Sequence, residues 1–166
     1  MLDCVVVFVQ RGQFSDDTLL ILKDRPEWQR GRLNLPGGKI EEGETPEEAA
    51  TRELEEETGY VPAVPVRQLG TMQDGSRTIY CVKAVITSRD GPKPRKGETE
   101  VPLWMPWYKA DNDQRLLPNL RAIVPLMRCG VTGWVIGDTY RGHGKPRHTI
   151  KISLPTRVVE DEIHAL

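Results

Sequence analysis

Three glutamates, Glu53, Glu56 and Glu57, stand at i, i+3 and i+4 within PGGKIEEGETPEEAATRELEEETGY, the stretch from Pro36 to Tyr60. On a helix that spacing gathers the carboxylates within an arc of about 100° on one face. Like-charged neighbours at i, i+4 cost roughly 0.2–0.5 kcal/mol each, and more when partly buried. The nine Glu between positions 41 and 57 have Arg52 as the cation among them and Lys39 just ahead. One arginine cannot neutralise such a group. A hard divalent cation with oxygen ligands turns the repulsion into a binding site, and Mg2+, which keeps waters and shares its shell with phosphate oxygens, directs the chemistry toward phosphate. The plain alternative is a solvated acidic face. The Gly37-Gly38 turn, set at a fixed distance ahead of the cluster, tips the reading toward a metal site.

The helix that must carry these residues is well specified. Thr45 is a natural N-cap, Pro46 suits the first helical position, and Glu48 falls where a T-x-x-E capping box requires it. Glu47 and Glu48 favour the positive end of the helix dipole. Gly59 is placed for the C-terminal stop. Ala49, Ala50 and Leu54 offer a small apolar face for packing.

Elsewhere the pattern predicts strands in VVVFV (Val5–Val9) and TLLIL (Thr18–Leu22), joined as a hairpin across a polar turn at Arg11–Asp17. VRQLGTM (Val66–Met72) and TIYCVKAVIT (Thr78–Thr87) read as neighbouring strands, and VPLWM as a short one after the polar loop Ser88–Glu100. NLRAIVPLMRCG (Asn119–Gly130) reads as a helix despite Pro125. GWVIGDTY and HTIKISL read as a final strand pair around the basic turn Arg141–Arg147. Strands then helices, without regular βαβ alternation, indicate a mixed α+β or sandwich arrangement.

The chain of 166 residues suits a single domain, residues 1–166, with 38% hydrophobic and 28% charged residues, as in soluble globular proteins. A formal net charge of −1 gives no global field for holding nucleic acid or an anionic membrane. Any electrostatic function is local. Cys4, Cys81 and Cys129 lie far apart, without metal or disulfide spacing, so a reducing cytoplasm is the default compartment. The N-terminal apolar run is too short to span a membrane, and Asp3 with no basic n-region argues against a signal peptide.

Gly38, five residues, Glu44, seven residues, then Arg52-Glu53-Leu54-Glu55-Glu56-Glu57-Thr58-Gly59 matches the Nudix box, GX5EX7REUXEEXGU. Tyr60 departs from it, standing where an aliphatic residue is usual. The chain thus resembles the Nudix hydrolases, and of these the MutT-like enzymes. The resemblance implies the Nudix fold, a mixed β-sheet between helices with a loop–helix–loop metal site. It implies Mg2+-dependent hydrolysis (with Mn2+ as a substitute) of a nucleoside diphosphate linked to another moiety, so the expected partner is a small nucleotide. By the same resemblance Glu53, Glu56 and Glu57 are the metal carboxylates, joined by the Gly37 carbonyl. Glu44 and Arg52 are framework, fixing the loop and orienting the Glu pair.

Substrate choice rests on flanking residues. Glu98 stands where MutT-type enzymes carry a Glu that joins the metal site or acts as base, and Glu100 competes for the role. GRLN, ending in Asn34, resembles a GRWN stretch in MutT homologues that degrade oxidised purine nucleoside triphosphates. Asn119 opens the last helix, where such enzymes place an Asn or Asp against the base; its rival role is a helix N-cap. An amide can read a purine edge, and Leu35 would supply an apolar wall. Lys23 or Arg25 would meet phosphate or sugar, or serve as surface charge. Trp28, Trp104, Trp107 and Trp134 are stacking candidates, with Trp104 better read as core or wall. His143, His148 and His164 show no ligand spacing, and the basic Arg141–Lys151 reads as a solvated turn. The expected substrate is a purine nucleoside triphosphate, oxidised or unmodified, cleaved to monophosphate and pyrophosphate. ADP-ribose or a nucleotide sugar is the alternative, and a non-catalytic binding module is a third reading that an intact box disfavours.

Overall fold

A computed structural model describes residues 3–12, 15–138 and 151–153. The basic turn and the three histidines singled out above lie outside the described residues. Among the described residues, eight strands form two sheets. β1 (Cys4–Arg11), β4 (Arg67–Asp74), β5 (Arg77–Ile86), β7 (Trp134–Asp138) and β8 (Lys151–Ser153) make a mixed sheet ordered β1-β5-β4-β7-β8. β2 (Asp17–Leu22), β3 (Leu33–Asn34) and β6 (Val101–Pro106) make a smaller antiparallel sheet ordered β3-β2-β6.

The expected β1–β2 hairpin does not form. β1 pairs in parallel with β5, from Cys4 opposite Ile79 to Arg11 opposite Ile86, while β2 pairs with β3 and β6. The reason lies in how β1 is buried. Val5, Val7 and Val9 join one apolar cluster and Phe8 the other. A strand buried on both faces reads as a continuous apolar run, typical of parallel pairing rather than of a hairpin exposed on one side. The expected neighbours β4 and β5 do pair, antiparallel, with an irregularity between Gln68 and Gly70. β7 and β8 close the sheet as the expected antiparallel pair.

One cluster holds Ala49, Ala50, Leu54 and Tyr60 against Val5, Val7, Val82 and Ala84, and so seats α1 (Pro46–Thr58) on the large sheet. The other holds Leu120, Ile123, Val124 and Met127 of α3 (Leu120–Cys129) with Leu69, Met72 and Trp134. A mixed sheet thus lies between helices. A short α2 (Trp107–Ala110) follows β6, unannounced by the sequence pattern. α3 keeps Pro125 inside it.

What positions the site is the free edge of β1. The amides of Val5 and Val7 donate to the carbonyls of Gly38 and Pro36, at 2.9 and 2.8 Å, and Ile40 N donates to Asp3 O at 3.0 Å. The Gly-Gly turn is thereby stitched along an edge that would otherwise stay unpaired.

Candidate active site

α1 is built as its sequence prescribes. The Thr45 side chain accepts from Glu48 N, the Glu48 carboxylate accepts from Thr45 N, and Gly59 closes the helix in the left-handed region. Its polar face meets segment 36–44 on one side and segment 88–100 on the other.

Arg52 is the junction. Its Nε and Nη2 donate to the two oxygens of Glu44 at 2.8 and 2.9 Å, Nη2 also to Lys39 O at 3.0 Å, and Nη1 to Glu53 Oε1 at 2.9 Å. This fork-on-fork pairing raises the guanidinium's pKa, Glu44 contributing most, and holds Glu44 below the usual carboxylate range. The loop and the first site carboxylate are therefore fixed by one planar group.

Gly37 and Gly38 are required by contact. A Cβ at Gly37, whose φ is 145°, would run into the Val5 carbonyl, and one at Gly38 into the Glu53 carboxylate. Pro36 and Gly38 give their carbonyls to β1, which leaves the Gly37 carbonyl outside that ladder. The Gly37 amide donates to Glu57 Oε2 at 2.8 Å.

Glu57 is the most deeply set of the three carboxylates, with 7% of its side chain exposed against 15% for Glu53 and 34% for Glu56. Burial pushes its carboxyl up to about 7, against the pull of Lys23 and the Gly37 amide. Burial also raises Glu53, in part offset by Arg52. Lys23, just past β2, sets its ammonium 3.3 Å from Glu57 Oε1 and in direct contact with Glu100. Burial works against that ammonium, but Glu57 and Glu100 more than offset it and its pKa is raised.

Each site carboxylate thus has a cation beside it: Arg52 on Glu53 and, at 3.6 Å, on Glu56, Lys23 on Glu57, and Arg95 on Glu56 at 2.7 Å. The helical repulsion evident in the sequence is relieved by two residues remote from the box. No signal in the spacing marks either pairing. Among the described residues, no three acidic, His or Cys side chains already converge on one point. The donor set nevertheless fits a hard divalent ion: carboxylate oxygens, a spare carbonyl, and a buried Glu57–Glu100 pair whose shared neighbour is already a cation.

The loop acids separate. Glu100 is buried, contacts Lys23, and accepts from the amides of Asp24 and Arg25 at 3.3 and 3.4 Å. Glu98 is half-buried, 3.8 Å from the Arg25 guanidinium, and carries no such network. Lys23 and Arg25 are therefore both engaged by carboxylates.

Asn34 is half-buried on β3. Its Nδ2 donates to Gln29 Oε1 at 3.2 Å, and its Oδ1 accepts from Leu35 N at 2.8 Å. Asn119 is not the side-chain cap considered above: its backbone is already helical, φ −62° and ψ −28°, and its side chain caps nothing. Instead its Nδ2 points to Met72 Sδ at 3.6 Å. Leu35 is wholly covered, in the same apolar cluster as Met72 and Leu120, so both asparagines border that cluster. Of the tryptophans, Trp134 is buried, Trp104 lies against Tyr60 and Arg11, and Trp28 is two-thirds exposed. Tyr60, the departure from the box, donates to Asp90 O at 2.6 Å and accepts from Trp104 Nε1 at 3.0 Å.

A mixed sheet between helices, with a Gly-Gly turn feeding an acidic helix, defines a Nudix-type site. The chain belongs to the NUDIX domain family, whose model matches residues 3–127. It is similar to the ADP-sugar pyrophosphatase of Mus musculus, 36% identical over 103 residues, which are 58% of this chain and 47% of that protein. It is also similar to the 8-oxo-dGTP diphosphatase of Escherichia coli, 64% identical over 31 residues, 19% of this chain and 24% of that one. The chain spans about half the length, or less, of these curated relatives. Among solved structures, the mutator MutT protein of Bacillus halodurans superposes with a TM-score of 0.70 at 19% identity, over 92% of this chain and 97% of that one.

Proposed function

We propose that this protein is a divalent-metal-dependent pyrophosphohydrolase that cleaves a purine nucleoside triphosphate, oxidised purines included, to the monophosphate and pyrophosphate. The observation that carries the hydrolase reading is the seating of Glu53 and Glu57 against the Gly37-Gly38 turn, on the α1 face that also carries Glu56, with Glu57 buried and its pKa raised to about 7. Mg2+ is the expected ion, held by these carboxylates and the Gly37 carbonyl, and when bound it supplies charge stabilisation for in-line displacement at phosphorus. The chain's own part is to hold the carboxylates in register through Arg52, to keep Glu57 dry, and to present Glu98 or Glu100 as proton acceptor for the attacking water. Asn34 and Asn119 would meet the base. Residues 1–166 are taken as one domain acting on a small nucleotide in the cytoplasm; no helix among the described residues is long and apolar enough to cross a membrane.

A specific observation favours a second reading: the similarity to an ADP-sugar pyrophosphatase extends over 103 residues, against 31 for the 8-oxo-dGTP diphosphatase. The deciding experiment incubates the protein and Mg2+ with dGTP, 8-oxo-dGTP, ADP-ribose and an ADP-sugar, and identifies the phosphate products. Pyrophosphate released from a purine triphosphate at the highest kcat/KM supports the first reading. AMP from ADP-ribose or the ADP-sugar at the highest kcat/KM replaces it with the second, and inactivity on all four leaves a binding module.

A further inference from the structure

The three cations on the site carboxylates are not equivalent. Arg52 is locked by five contacts to Glu44, Glu53, Glu56 and Lys39 O. Lys23 lies, largely covered, between two carboxylates. Arg95 has 69% of its side chain exposed and holds Glu56 through a single contact, Nη1 to Oε1 at 2.7 Å. Glu56 is also the most exposed of the three acids.

The backbone beneath Arg95 is nonetheless fixed. Its amide donates to Glu56 O at 2.8 Å and that of Lys93 to Thr58 O at 2.7 Å, so segment 93–95 satisfies carbonyls that the end of α1 leaves over. Arg95 O accepts from Glu98 N at 3.0 Å, closing a turn that carries the loop acid. A long cationic side chain on an anchored base can change partners without moving its loop.

We infer that Arg95 is a phosphate-positioning residue, which covers Glu56 in the metal-free protein and turns to a substrate phosphate oxygen once that carboxylate is taken by the metal. The electrostatics give the direction. A divalent cation on Glu56 removes the attraction that holds the guanidinium and repels it. The anions that a substrate would bring there are the phosphate oxygens that would share the ion's shell. A guanidinium suits them, with planar donors matched to phosphate geometry. This rests on the hydrolase reading for its substrate class, though not on which nucleotide is preferred.

The test uses Arg95→Gln and Arg95→Lys beside the wild type, with two binding readouts that need no turnover. Mn2+ titration of nucleotide-free protein, followed by electron paramagnetic resonance, should show the Gln variant binding the ion about threefold or more tightly, because a competing cation is gone. At saturating Mn2+, affinity for the α,β-methylene analogue of dGTP or of ADP-ribose, whichever the wild type binds better, should fall about tenfold in the Gln variant and recover largely in the Lys variant. A residue that merely closes the loop would lower the melting temperature and leave both affinities in place. Either shift missing overturns the inference. Both shifts in a protein that hydrolyses nothing would refute the enzyme reading and leave this one standing.

Discussion

The Lys23 ammonium lies between two buried carboxylates, 3.3 Å from Glu57 and in contact with Glu100, and so joins the end of β2 to α1 and to the entrance of β6. A residue whose sequence context suggested phosphate or sugar contact, or surface charge, is paired here with two carboxylates. Lys23→Met strands two buried acids. Metal-free stability at pH 8 should drop by about 3 kcal/mol, and by less near pH 6, where Glu57 takes up a proton instead. Urea unfolding in chelator checks this, and Mg2+ should recover more stability in the variant than in the wild type. An unfolding curve unchanged by the substitution at both pH values would show that the ammonium carries no such weight.

Glu57 makes metal-free stability fall with rising pH. Its folded value, about 7, lies above its ordinary 4.5, so between these the native protein keeps a proton that the unfolded chain has released. That contribution is complete below the unfolded value and is lost as pH climbs through about 7. In chelator, wild type and Glu57→Gln should melt alike near pH 4.5, with the wild type falling progressively behind toward pH 8. A gap independent of pH contradicts the assignment. Protons and metal compete for the same oxygens, so Mn2+ affinity should rise across this window.

Glu98 and Glu100 should fail in different ways. Glu100→Gln removes a partner of Lys23, so it should lower the melting temperature along with kcat. Glu98→Gln touches only a long contact to Arg25 and should leave melting unchanged while kcat falls about a hundredfold, if it takes the proton of the attacking water. Kinetics and thermal melts on the two variants separate base from support. Full activity in Glu98→Gln would transfer the role to Glu100.

Asn119→Ala should cost little stability, because the side chain caps nothing. If Asn119 reads a purine, kcat/KM for a purine triphosphate should fall by about 1–3 kcal/mol equivalent, with little change for a pyrimidine triphosphate. Asn34→Ala carries a further consequence, since Gln29 and the Leu35 amide lose their partner. A lower melting temperature should accompany its loss of selectivity. Uniform losses across purine and pyrimidine substrates for both variants would remove the base-reading role.

What the sequence determined by itself is local. The capping box at Thr45 and Glu48, the left-handed stop at Gly59 and the acidic face of α1 all follow from rules acting over three or four residues, and each is present as read. The box itself places the family. β4, β5 and the final strand pair were legible from period-two patterning and turn residues. Tertiary structure decided what depends on remote pairing. β1 left its sequence neighbour because both of its faces are buried, and an apolar run cannot announce which partner will cover it. Tyr60 stands at an aliphatic position because its hydroxyl has Asp90 O and Trp104 Nε1 to satisfy it, groups 30 and 44 residues away. The cations on Glu56 and Glu57, Arg95 and Lys23, come from loops 39 and 34 residues distant. Charge balance in a folded site is a sum over space, and the periodicities that write a helix into a sequence carry no information about which distant side chains will close that sum.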